Sequence, residues 1–231
     1  MNQESASPDT APNIMITGAT GGLGTALALE CAGRGARVIL LDRNKRLLER
    51  LCDKVEALGA PAPGYCDVDL AKVGPDALAE LIAGLGEAYG SLSGLVHAAA
   101  RFDGLRPLDQ ITPQDWLLDL QVNVNVAWLL TLGCLPGLRA AQGTVVFLLD
   151  GNATGKAYWG SYGASKGALQ SVADTFSQEL EGTGCQVLAM DPGPMRTDLR
   201  AAAYLAEDPA TVPEPAGPAK AIADAMLGEA I

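Results

Sequence analysis

The sequence predicts an α/β fold: a single parallel sheet, doubly wound, with helices on both faces. Two observations carry that prediction. Short apolar runs alternate along the chain with helix-length stretches, the order that successive βαβ units require. The runs are continuously apolar, as in Ile14-Met15-Ile16 and Val38-Ile39-Leu40-Leu41, which fits strands buried on both faces. At 231 residues, 48% hydrophobic and 19% charged, the chain has the size of one domain and is too apolar to stay disordered.

Taken in order, residues 1–12 are rich in Ser, Pro, Asp and Thr and read as a mobile tail, with 13–231 as a single domain. A strand is expected at 13–17 and a helix at 22–33. Residues 37–41 form a second strand, and 43–58 an amphipathic helix closed by Gly59. A third strand near 62–66 precedes a helix at 75–89, whose proline falls in the first turn, where its missing N–H is harmless. Residues 95–99 and 144–149 read as further buried strands, separated by a long helical region at 112–139 with a break near Leu118. A helix at 161–181, a sixth strand at 186–190 and a last helix at 219–227 complete the pattern. The Pro- and Ala-rich stretch 209–218 reads as a loop.

Composition narrows the partners. Sixteen basic against 27 acidic residues give a net charge of −11, which repels nucleic acid and leaves too few cations for an anionic membrane surface. No apolar run is expected to reach the ~18–20 residues of a membrane helix, and the first twelve residues lack the pattern of a secretory signal. The cysteines Cys31, Cys52, Cys66, Cys134 and Cys185 are dispersed without a C-x-x-C pair, and His97 is the only histidine. They read as reduced thiols of a cytoplasmic protein, with no metal site.

The first strand runs into Thr17-Gly18-Ala19-Thr20-Gly21-Gly22-Leu23-Gly24 and then a helix. In that setting backbone N–H groups and the positive helix end cradle a pyrophosphate. Asp42 ends the second strand eighteen residues past Gly24, near the offset at which a carboxylate bonds a ribose 2′-hydroxyl. Such a carboxylate disfavours the 2′-phosphate of NADP, so NAD is the expected cofactor. Arg43 is placed to offset that preference, and Asp42 also suits a helix N-cap. Asp67, with Val68 beside it, follows the third strand, where it is either an adenine acceptor or a turn residue. Tyr162 and Lys166 lie four apart on one helical face. A neighbouring cation lowers a phenol from its usual pKa of about 10, making it an acid/base near neutrality.

Together these residues resemble the short-chain dehydrogenase/reductase family over residues 13–199. Thr17-Gly18-x-x-x-Gly22-x-Gly24 is similar to its cofactor turn and Tyr162-x-x-x-Lys166 to its catalytic pair. Asn123 matches its helix asparagine, and Asp191-Pro192-Gly193-Pro194-Met195-Arg196-Thr197 its nicotinamide-flanking motif. Val122-Asn123-Val124-Asn125 and Trp159-Gly160-Ser161-Tyr162 look closest to the YciK-like bacterial oxidoreductases. The resemblance implies a Rossmann-type sheet of order 3-2-1-4-5-6-7 and hydride transfer between a nicotinamide cofactor and an alcohol or carbonyl. It also implies Tyr162 as acid/base, Lys166 on the nicotinamide ribose, Asn123 holding a relay water, and a homodimer paired through the helices of Asn123 and Tyr162. Pro192, Gly193 and Thr197 would flank the nicotinamide.

Three departures from the family pattern matter. The catalytic serine expected about thirteen residues before the tyrosine is absent from Leu149-Asp150-Gly151-Asn152-Ala153-Thr154. Losing one such donor costs on the order of 10²–10³ in rate, and an ionised Asp150 opposes a developing alkoxide. A protonated Asp150, Asn152 or Thr154 are the candidate substitutes. The family's Asn-Asn-Ala-Gly reads His97-Ala98-Ala99-Ala100, with Ala98, Ala99 and Ala100 still expected along the cofactor and His97 in a structural role. The last strand of the family is not evident. The alternative reading is therefore a nucleotide-binding pseudo-enzyme with a regulatory or scaffold role.

Overall fold

A computed structural model describes residues 11–228. Among them, six strands form one parallel sheet: β1 (Asn13–Thr17), β2 (Arg37–Asp42), β3 (Gly64–Asp67), β4 (Gly94–His97), β5 (Thr144–Leu148) and β6 (Gln186–Met190). Their order is β3-β2-β1-β4-β5-β6. Every pairing is parallel, with Thr17 opposite Leu41 on one side and His97 on the other. The chain reverses its direction of travel between β1 and β4, which is where open α/β sheets bind ligands.

The helices are α1 (Gly22–Gly33), α2 (Lys45–Glu56), α3 (Pro75–Tyr89), α4 (Pro113–Leu120), α5 (Val126–Ala141), α6 (Gly160–Glu179), α7 (Asp198–Ala203) and α8 (Ala216–Leu227). α1, α2 and α8 cover one face through Leu27, Cys31, Leu48, Val55 and Ile222. α3, α5 and α6 cover the other through Leu78, Leu130, Leu138, Leu169 and Phe176. Strands β1 and β5 are buried throughout, as their unbroken apolar runs require.

Several expectations change. The expected tail at 1–12 lies outside the described residues except for its last two. Pro12 already continues the β1–β2 pairing at the start of β1, its carbonyl accepting from the Arg37 N–H at 2.9 Å. The third strand starts at Gly64, because Pro63 has no N–H to give a ladder. α2 begins at Lys45, its first turn capped by the Asn44 side chain accepting from Leu47 N–H at 3.2 Å. Asp42 is therefore not its cap.

No break falls at Leu118. α4 and α5 are instead joined by a π-helical turn, Gln121–Asn125. The resulting helical run, Pro113–Ala141, is long and apolar enough by length and composition to cross a membrane, which corrects the expectation that no such run exists. Its inner face, Val126, Leu130, Cys134 and Leu138, is packed in the core. The stretch 209–218 is not wholly a loop, since α8 starts at Ala216. α7 was not expected from the sequence.

Candidate active site

A cleft of about 830 Å³ opens where β1 and β4 end, within the size range of small-molecule and cofactor pockets. Its floor is the glycine turn. Gly18 has φ +63°, and a Cβ there would lie 2.6 Å from the Ala99 Cα. The turn thus demands glycine for both conformation and space. At Gly24 a Cβ would collide with the Gly18 carbonyl. Thr17 Oγ1 accepts from the Ala99 N–H at 3.1 Å, lacing β1 to the segment after β4. α1 has no side chain capping its first turn, so its leading amides face the cleft unclaimed, as a pyrophosphate site requires. These residues fit a dinucleotide.

Asp42 organises the turn directly. Oδ2 accepts from the Thr20 N–H at 3.0 Å, while Oδ1 accepts from Arg43 N–H at 2.7 Å and Asn44 N–H at 3.3 Å. Thr20, Gly22, Leu23, Asp42, Arg43, Val68, Ala98, Ala99, Ala100, Pro192, Gly193 and Thr197 all line the cleft. Asp67 does not. It pairs in register with Asp42 and is exposed, whereas Val68 and Asp69 face the cleft.

At the other end lie Asp150, Tyr162 and Lys166. The first turns of α6 bury Tyr162 and Lys166 to 4% exposure each. The Tyr162 hydroxyl donates to Asp150 Oδ2 at 3.2 Å, and Asp150 Oδ1 accepts from the Ala153 N–H at 3.1 Å. Lys166 Nζ donates to the Leu148 carbonyl at 2.7 Å and stands 5.6 Å from the Tyr162 ring centre. The expected depression of the Tyr162 phenol is therefore reversed. Burial pushes it up, and the Asp150 and Asp191 carboxylates push it further. Burial lowers Lys166 to about 8 against the pull of the same two carboxylates.

Of the three candidates for the missing serine, Asp150 meets the tyrosine. Asn152 lines the cleft, but the Tyr162 hydroxyl is turned to Asp150. Thr154 turns away, its hydroxyl donating to the Asp150 carbonyl at 3.0 Å.

Asn123 lies outside the main cleft, in the π turn. Its Oδ1 accepts from Arg101 N–H at 2.7 Å, and its Nδ2 donates to the Arg101 carbonyl at 3.0 Å and to Ser165 Oγ at 2.9 Å. It borders a small cavity of about 10 Å³ shared with Thr17 and His97. His97 is fully structural in its contacts. Its Nε2 pairs with Thr131 Oγ1 at 2.8 Å, its ring stacks on Phe147, and burial lowers it to about 3.

Three features escaped sequence reasoning. Asp191 accepts from Gly151 N–H at 2.8 Å and Gly193 N–H at 2.9 Å, and so fixes both loops that border the site. Phe102 packs against Trp159 and Tyr162, each at 5.2 Å between ring centres. Arg101 pairs with Asp115 at 2.9 Å and with buried Asp119, which also accepts from Ser161. These partners are distant in sequence, and no local spacing announces them. Among the described residues no cluster of His, Cys, Asp or Glu is suited to a metal ion.

A parallel 3-2-1-4-5-6 sheet with this turn and a Tyr–Lys pair marks a class of oxidoreductases. Residues 12–208 match the short chain dehydrogenase family, and the chain belongs to it. The oxidoreductase YciK of Escherichia coli K12, itself uncharacterized, is 34% identical over 88% of this chain and 81% of its own length. The solved structure of yciK from E. coli superposes with a TM-score of 0.85 at 32% identity, covering 91% of this chain and 87% of that one. A short chain dehydrogenase of Shigella flexneri 2a, solved in complex with NADP, gives a TM-score of 0.85 at 31% identity, covering 91% and 89%.

Proposed function

We propose that the protein is an oxidoreductase that moves a hydride between a nicotinamide dinucleotide and the carbon of a polarised double bond. Carbonyl–alcohol interconversion is the form its family resemblance implies. The observation that carries the reading is the convergence of Tyr162 and Lys166 at one end of a cleft whose other end is the glycine turn. The dinucleotide, when bound, supplies or accepts the hydride. Tyr162, whose hydroxyl is held protonated by its surroundings, gives a proton to the substrate heteroatom. Lys166 fixes the end of β5 through Leu148 and supplies the positive charge nearest the phenol. Asn123 clamps the loop that carries Phe102.

NAD is the first choice of cofactor, because the Asp42 carboxylate stands at the end of β2 facing the cleft. NADP is the second reading, favoured by Arg43 on the same wall and by the NADP held in the Shigella relative. Fluorescence titration with NADH and NADPH decides between them. Tight binding of either, with turnover of a carbonyl panel lost in Tyr162→Phe, is the expected result. Binding of both nucleotides without turnover of any substrate would favour the pseudo-enzyme alternative, and binding of neither would remove the oxidoreductase reading.

The partners in this reading are a small molecule and a second copy of the chain, with neither nucleic acid nor membrane. Trp116, Leu117, Trp128 and Leu132 are exposed apolar residues on α4 and α5. They support pairing through these helices, which sedimentation velocity tests. Cytoplasmic location belongs to the same reading, supported by five free cysteines.

A further inference from the structure

We propose that the double bond reduced here is carbon–nitrogen rather than carbon–oxygen, and that Asp150 together with Phe102 and Trp159 holds the substrate as a cyclic iminium cation. This inference rests on the oxidoreductase reading and narrows it to a substrate class.

The argument begins with charge. A heteroatom that receives a proton from Tyr162 must approach its hydroxyl, and Asp150 Oδ2 stands 3.2 Å from that oxygen. A second carboxylate, Asp191, lines the same end of the cleft. A carbonyl reduced here passes through an alkoxide-like oxygen beside an anion, which is unfavourable. An imine nitrogen in that place is protonated more readily, and the protonated form is the more electrophilic one.

The cations nearby do not cancel the carboxylates. Arg200 is held by Glu207 through two contacts of 2.6 Å, and Arg101 is taken by Asp115 and Asp119. Lys166 is close but has its ammonium turned toward the Leu148 carbonyl, and Arg200, which also feels the Asp150 charge, carries its own counter-anion in Glu207. The walls agree with this reading. Phe102, Trp159 and Tyr162 form a contiguous aromatic surface with ring centres 5.2–5.7 Å apart. Such faces attract organic cations, and the guanidinium of Arg200 already lies 4.5 Å from the Tyr204 ring on the same wall.

In the balanced step the imine carbon gains the hydride and the C=N π pair stays on nitrogen. The nitrogen takes its one proton from Tyr162 as the iminium forms, and the Tyr162 phenolate regains a proton from water. The products are a cyclic amine and the oxidised nicotinamide.

The test compares 3,4-dihydroisoquinoline with 1-tetralone as substrates of the wild type and Asp150→Ser, with whichever reduced nucleotide binds. The expected result is at least a tenfold higher kcat/KM for the imine, reversed in favour of the ketone in Asp150→Ser. Nucleotide affinity in the variant should equal the wild-type value, which also reports that it folds. Calorimetry of tetrahydroisoquinolinium, a non-reducible ammonium probe, should show at least tenfold weaker binding in Asp150→Asn. A wild-type preference for the ketone, a substrate ratio unmoved in Asp150→Ser, or equal ammonium binding in both proteins would overturn the proposal and leave the oxidoreductase reading standing. Failure to bind either nucleotide would strike that reading, and the proposal with it.

Discussion

Asn123 grips the Arg101 peptide by both of its polar groups, accepting from the N–H at 2.7 Å and donating to the carbonyl at 3.0 Å. A helix side chain thereby does for one loop residue what a neighbouring strand does in a sheet. The π turn makes this possible by rotating Asn123 inward to 2% exposure.

Asn123→Ala removes both bonds and the one to Ser165. Each buried polar group left unpaired costs about 1–3 kcal/mol. A loss of roughly 2–4 kcal/mol is expected, partly relieved by loop movement. Thermal denaturation should show a lower Tm, and kcat/KM should fall further than nucleotide affinity, because the loop carries Phe102 and not the glycine turn.

Asp119→Ala breaks a buried link between Arg101 and Ser161. Removing one partner of a buried pair is strongly destabilising, but Arg101 keeps Asp115 and is a quarter exposed. The expected cost is therefore about 2–3 kcal/mol, at or below the lower end of that range. Urea unfolding of Asp119→Ala and of Asp119→Ala/Arg101→Met should show the double variant recovering part of the loss.

His97 makes stability depend on acid. Thr131 donates its own hydroxyl proton to the Ala127 carbonyl at 2.8 Å, so Nε2 of His97 is the protonated nitrogen. Burial holds the folded-state pKa at about 3 against the usual 6.5. The unfolded chain binds the extra proton between those values. The contribution is complete above pH 6.5 and is lost as pH falls from there toward 3. Between pH 6.5 and 4.5 the loss amounts to about 2–3 kcal/mol. Urea unfolding at several pH values should give a flatter profile for His97→Phe than for the wild type.

Gly18→Ala tests the turn apart from the chemistry. The positive φ and the approach to Ala99 leave no room for a methyl group, so the turn must shift. Nucleotide binding should weaken by at least tenfold, read by fluorescence titration. Tyr162→Phe should instead leave nucleotide affinity intact and lower kcat by about 10²–10⁴.

Much of the fold is legible in the sequence, because long apolar periods and glycine turns act locally. The bounds of α1 and α3 are those expected from Gly22, Gly33 and Pro75. α7 spans six residues capped by Thr197, too short to show a period. The start of α8 was masked by Pro218, which a first helical turn accommodates. In the candidate site the Tyr162–Lys166 spacing was readable, yet the direction in which Tyr162 is pushed was not. That direction is set first by burial of the phenol and then by Asp150 and Asp191, which approach from two other strand ends. The role of Asp42 divided in the same way: its offset from Gly24 was visible, and its grip on Thr20 was not.

That grip has an evolutionary consequence. In the proposed reading Asp42 faces the cofactor ribose, and it also holds the glycine turn through the Thr20 amide. A single change at position 42 that favoured another nucleotide would orphan that amide at the same time. Descendants of this chain can alter their cofactor cheaply at Arg43, but at Asn44 only by giving up the cap of α2, and through Asp42 only with a compensating substitution in the turn itself.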